Sequence, residues 1–329
     1  MREGSFKFSV RGLICFVVII GLMARTKSAA ATSRPTTQPV TAPESSPQAV
    51  KLLQKVQAKY AVMKTYSDEG QAVSDIDLSK VDFKKIPNLT TRKQKMIEES
   101  SLLKNAKKKV YDFSMKLGRP DCYLIEWKQT MGGNIVPLDG AVWSAGEGDF
   151  VQTRSQSAPR KMKDRFSALR NAGNVSGRAT MTIPFIFFNE TSMPLVTMKS
   201  LAMEKEERLD GDLCYVISGR AGGHKTFLWI SKKTLLIRQK RFLFGGESAI
   251  KKTPITPESV KKTLKAMGQE PTTQAVERMK TNMELANMLS TSVKGSIIET
   301  HRNIVVDAPI SKKQFKFKVP ATQTSPAKK

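Results

Sequence analysis

Over most of this chain apolar and polar residues alternate with a period of two, the pattern of half-buried strands. The densest block is Leu209–Phe244, LDGDLCYVISGRAGGHKTFLWISKKTLLIRQKRFLF. It predicts three antiparallel strands, Leu213–Ser218, Lys225–Ile230 and Thr234–Phe244, with glycines in the first connection and the polar turn Ser231-Lys232-Lys233 in the second. The middle strand, Phe227-Leu228-Trp229-Ile230, is apolar at every position, so both of its faces must be covered. Earlier in the chain Tyr111, Phe113, Met115 and Leu117 alternate with Asp112, Ser114 and Lys116. Past the turn at Gly118-Arg119-Pro120-Asp121, Tyr123, Ile125 and Trp127 alternate with Glu126 and Lys128. These two runs predict a hairpin with one apolar face. Further strands are expected at Thr65–Ile76, Gly140–Trp143, Phe150-Val151, Met193–Leu209, Gly295–His301, Ile304–Val306 and Gln314–Val319. Short strands joined by glycine-bearing turns predict a meander.

Helical spacing interrupts this pattern in a few places. Gln48–Met63 carries Val50, Leu53, Val56, Tyr60 and Met63 on one stripe. Arg160–Ala172 is a basic patch that predicts a helix. Pro257-Glu258-Ser259 starts a helix that Gly268 ends. A second, Thr272–Ser290, puts Val276, Met279, Met283 and Ala286 on one stripe. That stripe either packs on the sheet or offers an adaptable apolar surface. Ile183–Phe188 is the greasiest stretch beyond the N-terminus, either a core element or the wall or lid of an apolar cavity. Lys80–Lys109 reads as a Lys-rich surface insertion.

The N-terminus has a basic start, an apolar run of twelve residues from Leu13 to Ala24, and small residues at Ser28-Ala29-Ala30-Ala31. This is the layout of a secretory signal peptide over residues 1–31; the run is shorter than the roughly 20 residues that span a bilayer. An uncleaved membrane tether is the alternative. Residues 32–47, rich in Thr, Ser and Pro, predict a flexible linker. The domain then runs over 48–320, with insertions at about 80–109 and 251–290, and a basic tail at 321–329.

The net charge of the 329-residue chain is +26. Cleavage would remove five basic residues and one acidic one and leave +22. Such a balance suits an anionic membrane surface or an acidic polymer. Export disfavours nucleic acid as a partner, and an unassigned solvated surface is the plainer reading. Cys122 and Cys214 remain in the mature chain, either as two separate thiols or as a disulfide. His224 and His301 are the available neutral-pH bases. No metal-ligand spacing, nucleophile elbow, P-loop or dinucleotide fingerprint is present, so no catalytic residue, metal or cofactor is expected.

The order of elements resembles the periplasmic lipoprotein-carrier (LolA-like) superfamily. The residues that carry the resemblance are Tyr60–Tyr66 ending the first helix, Phe113–Leu117 with Arg119-Pro120 and Tyr123, Ala141-Val142-Trp143, Leu209-Asp210-Gly211, Cys214–Ile217, Leu228-Trp229-Ile230, Leu235–Arg238 and Phe315–Pro320. Together they span most of Gln48–Pro320. The resemblance implies an α+β fold, an antiparallel, incompletely closed β-barrel wrapped around helices, with an apolar cavity for acyl chains. The segments 80–109 and 251–290 depart from the compact carriers, so no lid or receptor-docking residue is carried over. The expected function is a non-enzymatic, exported protein that holds lipid or lipoprotein acyl chains. The alternative is an envelope interaction or sensor module with a protein partner. Phe113, Met115, Trp127, Trp143, Phe185, Phe187, Trp229, Met279 and Met283 are the candidate lining residues.

Overall fold

Two thirteen-residue strands, β1 (Thr65–Asp77) and β12 (Lys294–Val306), pair antiparallel from Tyr66↔Val306 to Asp77↔Lys294 and join the two halves of one sheet. The computed structural model describes residues 44–77, 108–131, 139–190 without 155, 157 and 174, 198–221, 224–244, 255–266, 270–277, 279–280, 283 and 294–318. The expected leader, most of the linker, most of the 80–109 insertion, residues 284–290 of the second Met-bearing helix and the basic tail lie outside these residues.

From β1 the chain meanders outward through β2 (Lys108–Gly118), β3 (Cys122–Met131), β4 (Gly140–Ser144), β5 (Asp149–Thr153) and β6 (Arg160–Met162). The other half comprises β7 (Lys199–Met203), β8 (Glu207–Leu209), β9 (Asp212–Ala221), β10 (His224–Ser231) and β11 (Ile237–Phe244). Among the described residues the sheet has 12 strands in the order β6-β5-β4-β3-β2-β1-β12-β11-β10-β9-β7, with β8 paired to β9. Its end strands do not meet. The fold is thus the expected antiparallel, incompletely closed barrel.

The helices are α1 (Pro47–Ala61), α2 (Arg165–Gly173), α3 (Ile183–Phe187) and α4 (Pro257–Ala266). Helix α1 buries Ala49, Leu52, Leu53, Val56 and Tyr60, one stripe in the main core. Helices α2 and α3 bury their apolar side chains in the same core. This core fills the inner face of the sheet, where Tyr66, Tyr111, Phe113, Met115, Tyr123, Ile125, Trp127, Leu228 and Ile230 point.

Three expectations differ in detail. The Arg160–Ala172 patch splits, because Arg160–Met162 pairs as an edge strand with β5 and Asp164 then caps α2 by accepting the Ser167 N–H at 2.7 Å. The two expected strands Gly295–His301 and Ile304–Val306 are one strand with a bulge at Asn303, whose φ is +51°. Residues 314–318, the described part of the expected strand Gln314–Val319, do not form a strand. Lys312–Phe315 is a 3-10 turn capped by Ser311 and Gln314, and Phe315 and Phe317 anchor it on the outer face against Leu124, Ala141, Trp143 and Phe150. Their alternation serves packing, with no strand beside them to pair.

Gly70 sits opposite His301 in the β1–β12 ladder, and a Cβ there would overlap the Phe113 ring and the Thr300 carbonyl oxygen. Because one obstacle is backbone, the sheet itself would have to shift. Gly70→Ala is expected to lower unfolding free energy by about 2–3 kcal/mol. Urea denaturation checks this; an unchanged midpoint would contradict the close approach.

Candidate functional site

The inner face has two unlike regions. One is the apolar wall of β2–β4 with its covering helix. Phe113 and Met115 on β2 and Trp127 on β3 share an inward-pointing row with Tyr111, Tyr123 and Ile125. Against them lies α3, Ile183-Pro184-Phe185-Ile186-Phe187, buried at every position. Pro184 suits the first turn of so short a helix, where its missing N–H removes no helical bond.

Two arginines fasten this helix. Arg119, in the turn after β2, donates from Nε to the Met63 carbonyl at 2.9 Å, and from Nη2 to the carbonyls of Tyr60 at 3.3 Å and of Phe187. It therefore closes the C-terminal ends of α1 and α3 together, where carbonyls lack helical partners and the helix dipole favours a cation. Its guanidinium also lies 4.8 Å from the Phe187 ring centroid. Arg165 stacks 4.1 Å over the Phe188 ring and grips Glu190 Oε1 from Nε at 3.2 Å and Nη2 at 2.9 Å.

The second region is polar and lies on β1, β12 and β11. Glu299 and His301, two residues apart on β12, face inward beside Asp68 of β1 and Lys240 of β11, and all four are buried. The His301 Nδ1 is 2.6 Å from Asp68 Oδ2, and its Nε2 is 3.4 Å from Glu299 Oε1. Tyr66 donates its hydroxyl to Asp68 Oδ2 at 2.6 Å. Thr182, just before α3, donates to Glu299 Oε2 and accepts from Lys240 Nζ at 2.8 Å. Lys240 Nζ lies 3.8 Å from the same carboxylate oxygen. Arg178 is set on the α2–α3 connection at φ +76° and lies 4.4 Å over the Phe242 ring.

Burial alone would lower the His301 pKa, but the facing carboxylates of Asp68 and Glu299 outweigh it and raise the value from 6.5 to about 9. Burial lowers Lys240 to about 8, partly offset by Glu299, and nearby Arg178 lowers it further. Arg178 itself is lowered to about 10 by burial against the pull of Glu299. Both imidazole nitrogens face carboxylates, so at neutral pH the ring is an imidazolium clamp without a free lone pair.

Of the nine candidate lining residues, the structure brings Phe113, Met115, Trp127, Phe185 and Phe187 into the main core. The other four lie elsewhere. Trp143 faces outward beneath the C-terminal turn, and Trp229 faces outward with Cys214 and Val216, its indole N–H donating to Glu207 at 2.8 Å. Met279 and Met283 pack with Val260, Leu264 and Val276 in a separate cluster around α4. The aromatic content of a strand does not tell which of two covered faces a residue takes. Cys122 and Cys214 are both free thiols. Sequence reading set His301 aside and missed Asp68, Arg178, Thr182, Lys240 and Glu299. The available signal was Glu-x-His within one strand, which puts both side chains on the same face.

No protein-family model matches the sequence, and no curated protein matches it. Among solved structures the chain is similar to LprF from Mycobacterium bovis, at 10% identity and a TM-score of 0.36, covering 82% of this chain and 97% of that one. It is also similar to lipoprotein LppX from Mycobacterium tuberculosis, at 10% identity and a TM-score of 0.35, covering 81% and 99%. A putative outer membrane lipoprotein-sorting protein domain from Vibrio parahaemolyticus matches at 8% identity and a TM-score of 0.29, covering 82% and 96%.

The raised His301 pKa implies stability that is complete below about pH 6.5 and is lost as pH rises through about 9, since the folded state holds the proton longer than the unfolded one. Lys240 has the opposite sign, and its effect begins near pH 8. Between pH 6.5 and 8 the unfolding free energy is therefore expected to fall by about 2 kcal/mol. Asp68→Asn, which still accepts from Tyr66, should flatten that slope. Denaturant titrations at four pH values check it, and a flat profile in the unmodified protein would contradict the imidazolium clamp.

Proposed function

We propose that this chain is an exported, non-enzymatic carrier that holds a lipid, or the acyl chains of a lipoprotein, between the inner face of its open sheet and helix α3. One observation carries the reading. Part of the cover over the aromatic wall is a five-residue apolar helix, fastened at its C-terminal end by Arg119 and Arg165 side chains. A cover of this kind can be replaced by a guest without breaking the β ladder. Displacing Phe185 and Phe187 costs about 1.5–3 kcal/mol each, whereas an acyl tail gains about 0.8 kcal/mol per methylene buried, so a long tail offsets the loss.

The imidazolium clamp supports a non-enzymatic role, because a histidine held between two carboxylates is not poised to take a proton at neutral pH. The leader-like residues 1–31 support export, with an extracytoplasmic or periplasmic location. Among the described residues no helix is long and apolar enough to cross a membrane. The basic balance favours approach to an anionic membrane surface over nucleic acid.

A second reading, an envelope interaction or sensor module, is favoured by the packing. Phe113, Met115, Trp127, Phe185 and Phe187 are all nearly inaccessible, filling the interior with the protein's own side chains. Delipidated protein mixed with a fluorescent fatty acid or lipopeptide separates the two. The carrier reading expects saturable uptake near one guest per chain. Absence of uptake, together with a protein captured specifically in pull-downs, would overturn it in favour of the second.

A further inference from the structure

The buried polar region has a charge balance that the apolar-carrier reading leaves unused. Among the described residues, Lys240, Arg178 and His301 bring three positive charges and Asp68 and Glu299 bring two negative ones. The surplus is not spread evenly. At the His301 end Asp68 Oδ1, Glu299 Oε1 and His301 Nε2 lack hydrogen-bond partners, the last two facing each other as an ion pair at 3.4 Å. At the Lys240 end the deficit is of acceptors. Lys240 has three N–H donors, one of them given to Thr182 at 2.8 Å, with Glu299 at 3.8 Å. The five donors of Arg178 have the Phe242 ring as their described neighbour.

Arg178 keeps a partly accessible surface although burial lowers its pKa. It is held there at a backbone cost, since φ +76° disfavours a residue with a long side chain. Its neighbour Gly177, at φ +63°, brings the connection within 2.7 Å of the Tyr111 ring, measured from where a Cβ would stand. Ser176, fully buried two residues before Arg178, has an Oγ without a hydrogen-bond partner. The α2–α3 connection thus leans on the sheet and presents a cation toward the Lys240 end.

We propose that Lys240 and Arg178, with Thr182 between sheet and helix, form a site for one anionic group, a carboxylate or phosphate, on the guest. The inference rests on the carrier reading and sharpens it to acidic lipids that enter with the charged end toward β11. An anion there completes the charge count and supplies charged acceptors to two under-used donors, whereas a neutral ester adds no charge and only weaker acceptors. It also competes with Glu299 for Lys240 and Thr182, which couples the guest's charge to the segment leading into α3.

The test compares palmitate, methyl palmitate and inorganic phosphate binding to the delipidated full chain by calorimetry. The site predicts palmitate binding at least about tenfold tighter than its methyl ester, as expected for a charge-assisted hydrogen bond. Arg178→Asn removes the cation with a residue that tolerates the left-handed backbone, and should bring the two lipids within about twofold. Lys240→Met, which keeps the volume, should do the same; thermal unfolding shows whether each variant is folded. Equal affinity for acid and ester in the unmodified protein overturns the anion site and leaves the carrier reading intact. Phosphate binding that Arg178→Asn abolishes, without either lipid binding, retains the anion site and overturns the carrier reading. Absence of all three overturns both.

Discussion

The pairing of β1 with β12 is the constraint on which the structure depends. Each half of the sheet is a meander built from near neighbours in sequence, and among the described residues this ladder is the strand pairing that joins the two halves. Its register also sets the chemistry of the interior. The bulge at Asn303 keeps His301 on the inner face while Val305 and Val306 still pair with Ser67 and Tyr66. Asp68 then meets His301, and Gly70 leaves the space through which the Phe113 ring reaches the imidazole, at 5.5 Å between centroids. A slip of one residue would turn the carboxylates outward and the backs of both strands inward.

Burying these charges is costly, and the geometry shows how part of the cost is met. Idealised ion pairs in a protein interior lose more in desolvation than they gain unless their remaining polar atoms are bonded. Here Tyr66 and Thr182 supply hydroxyls to Asp68 and Glu299. Removing one charged partner of such a group typically costs about 3–5 kcal/mol, because the other stays buried alone. The group thereby links β1, β11, β12 and the start of α3, which makes the inner face apolar on one side and ionic on the other.

Much of the fold was legible in the alternation of residues. Tyr111–Leu117 and Tyr123–Trp127 fix a hairpin with one buried face, and β9 to β11 follow from the Leu209–Phe244 block. What could not be read was the second covered face. Trp143 and Trp229 alternate as inward residues would, yet they are buried on the outside by the C-terminal turn and by the segment around Glu207. The same blindness misassigned Phe315 and Phe317, whose alternation matches a strand. The ionic group was missed for a different reason: Asp68, Lys240 and Glu299 are separated by long stretches of chain and look like ordinary solvent-facing charges. Their burial follows from the β1–β12 and β11–β12 registers, which local pattern does not specify.

The central claim is that an apolar guest can take the place of α3 against the aromatic wall. Native mass spectrometry of the protein purified from the cells that produce it tests this most directly. The account predicts a population heavier than the bare chain by the mass of a lipid, lost on collisional activation. A single population at the mass of the bare chain, from purification without detergent or delipidation, would contradict it.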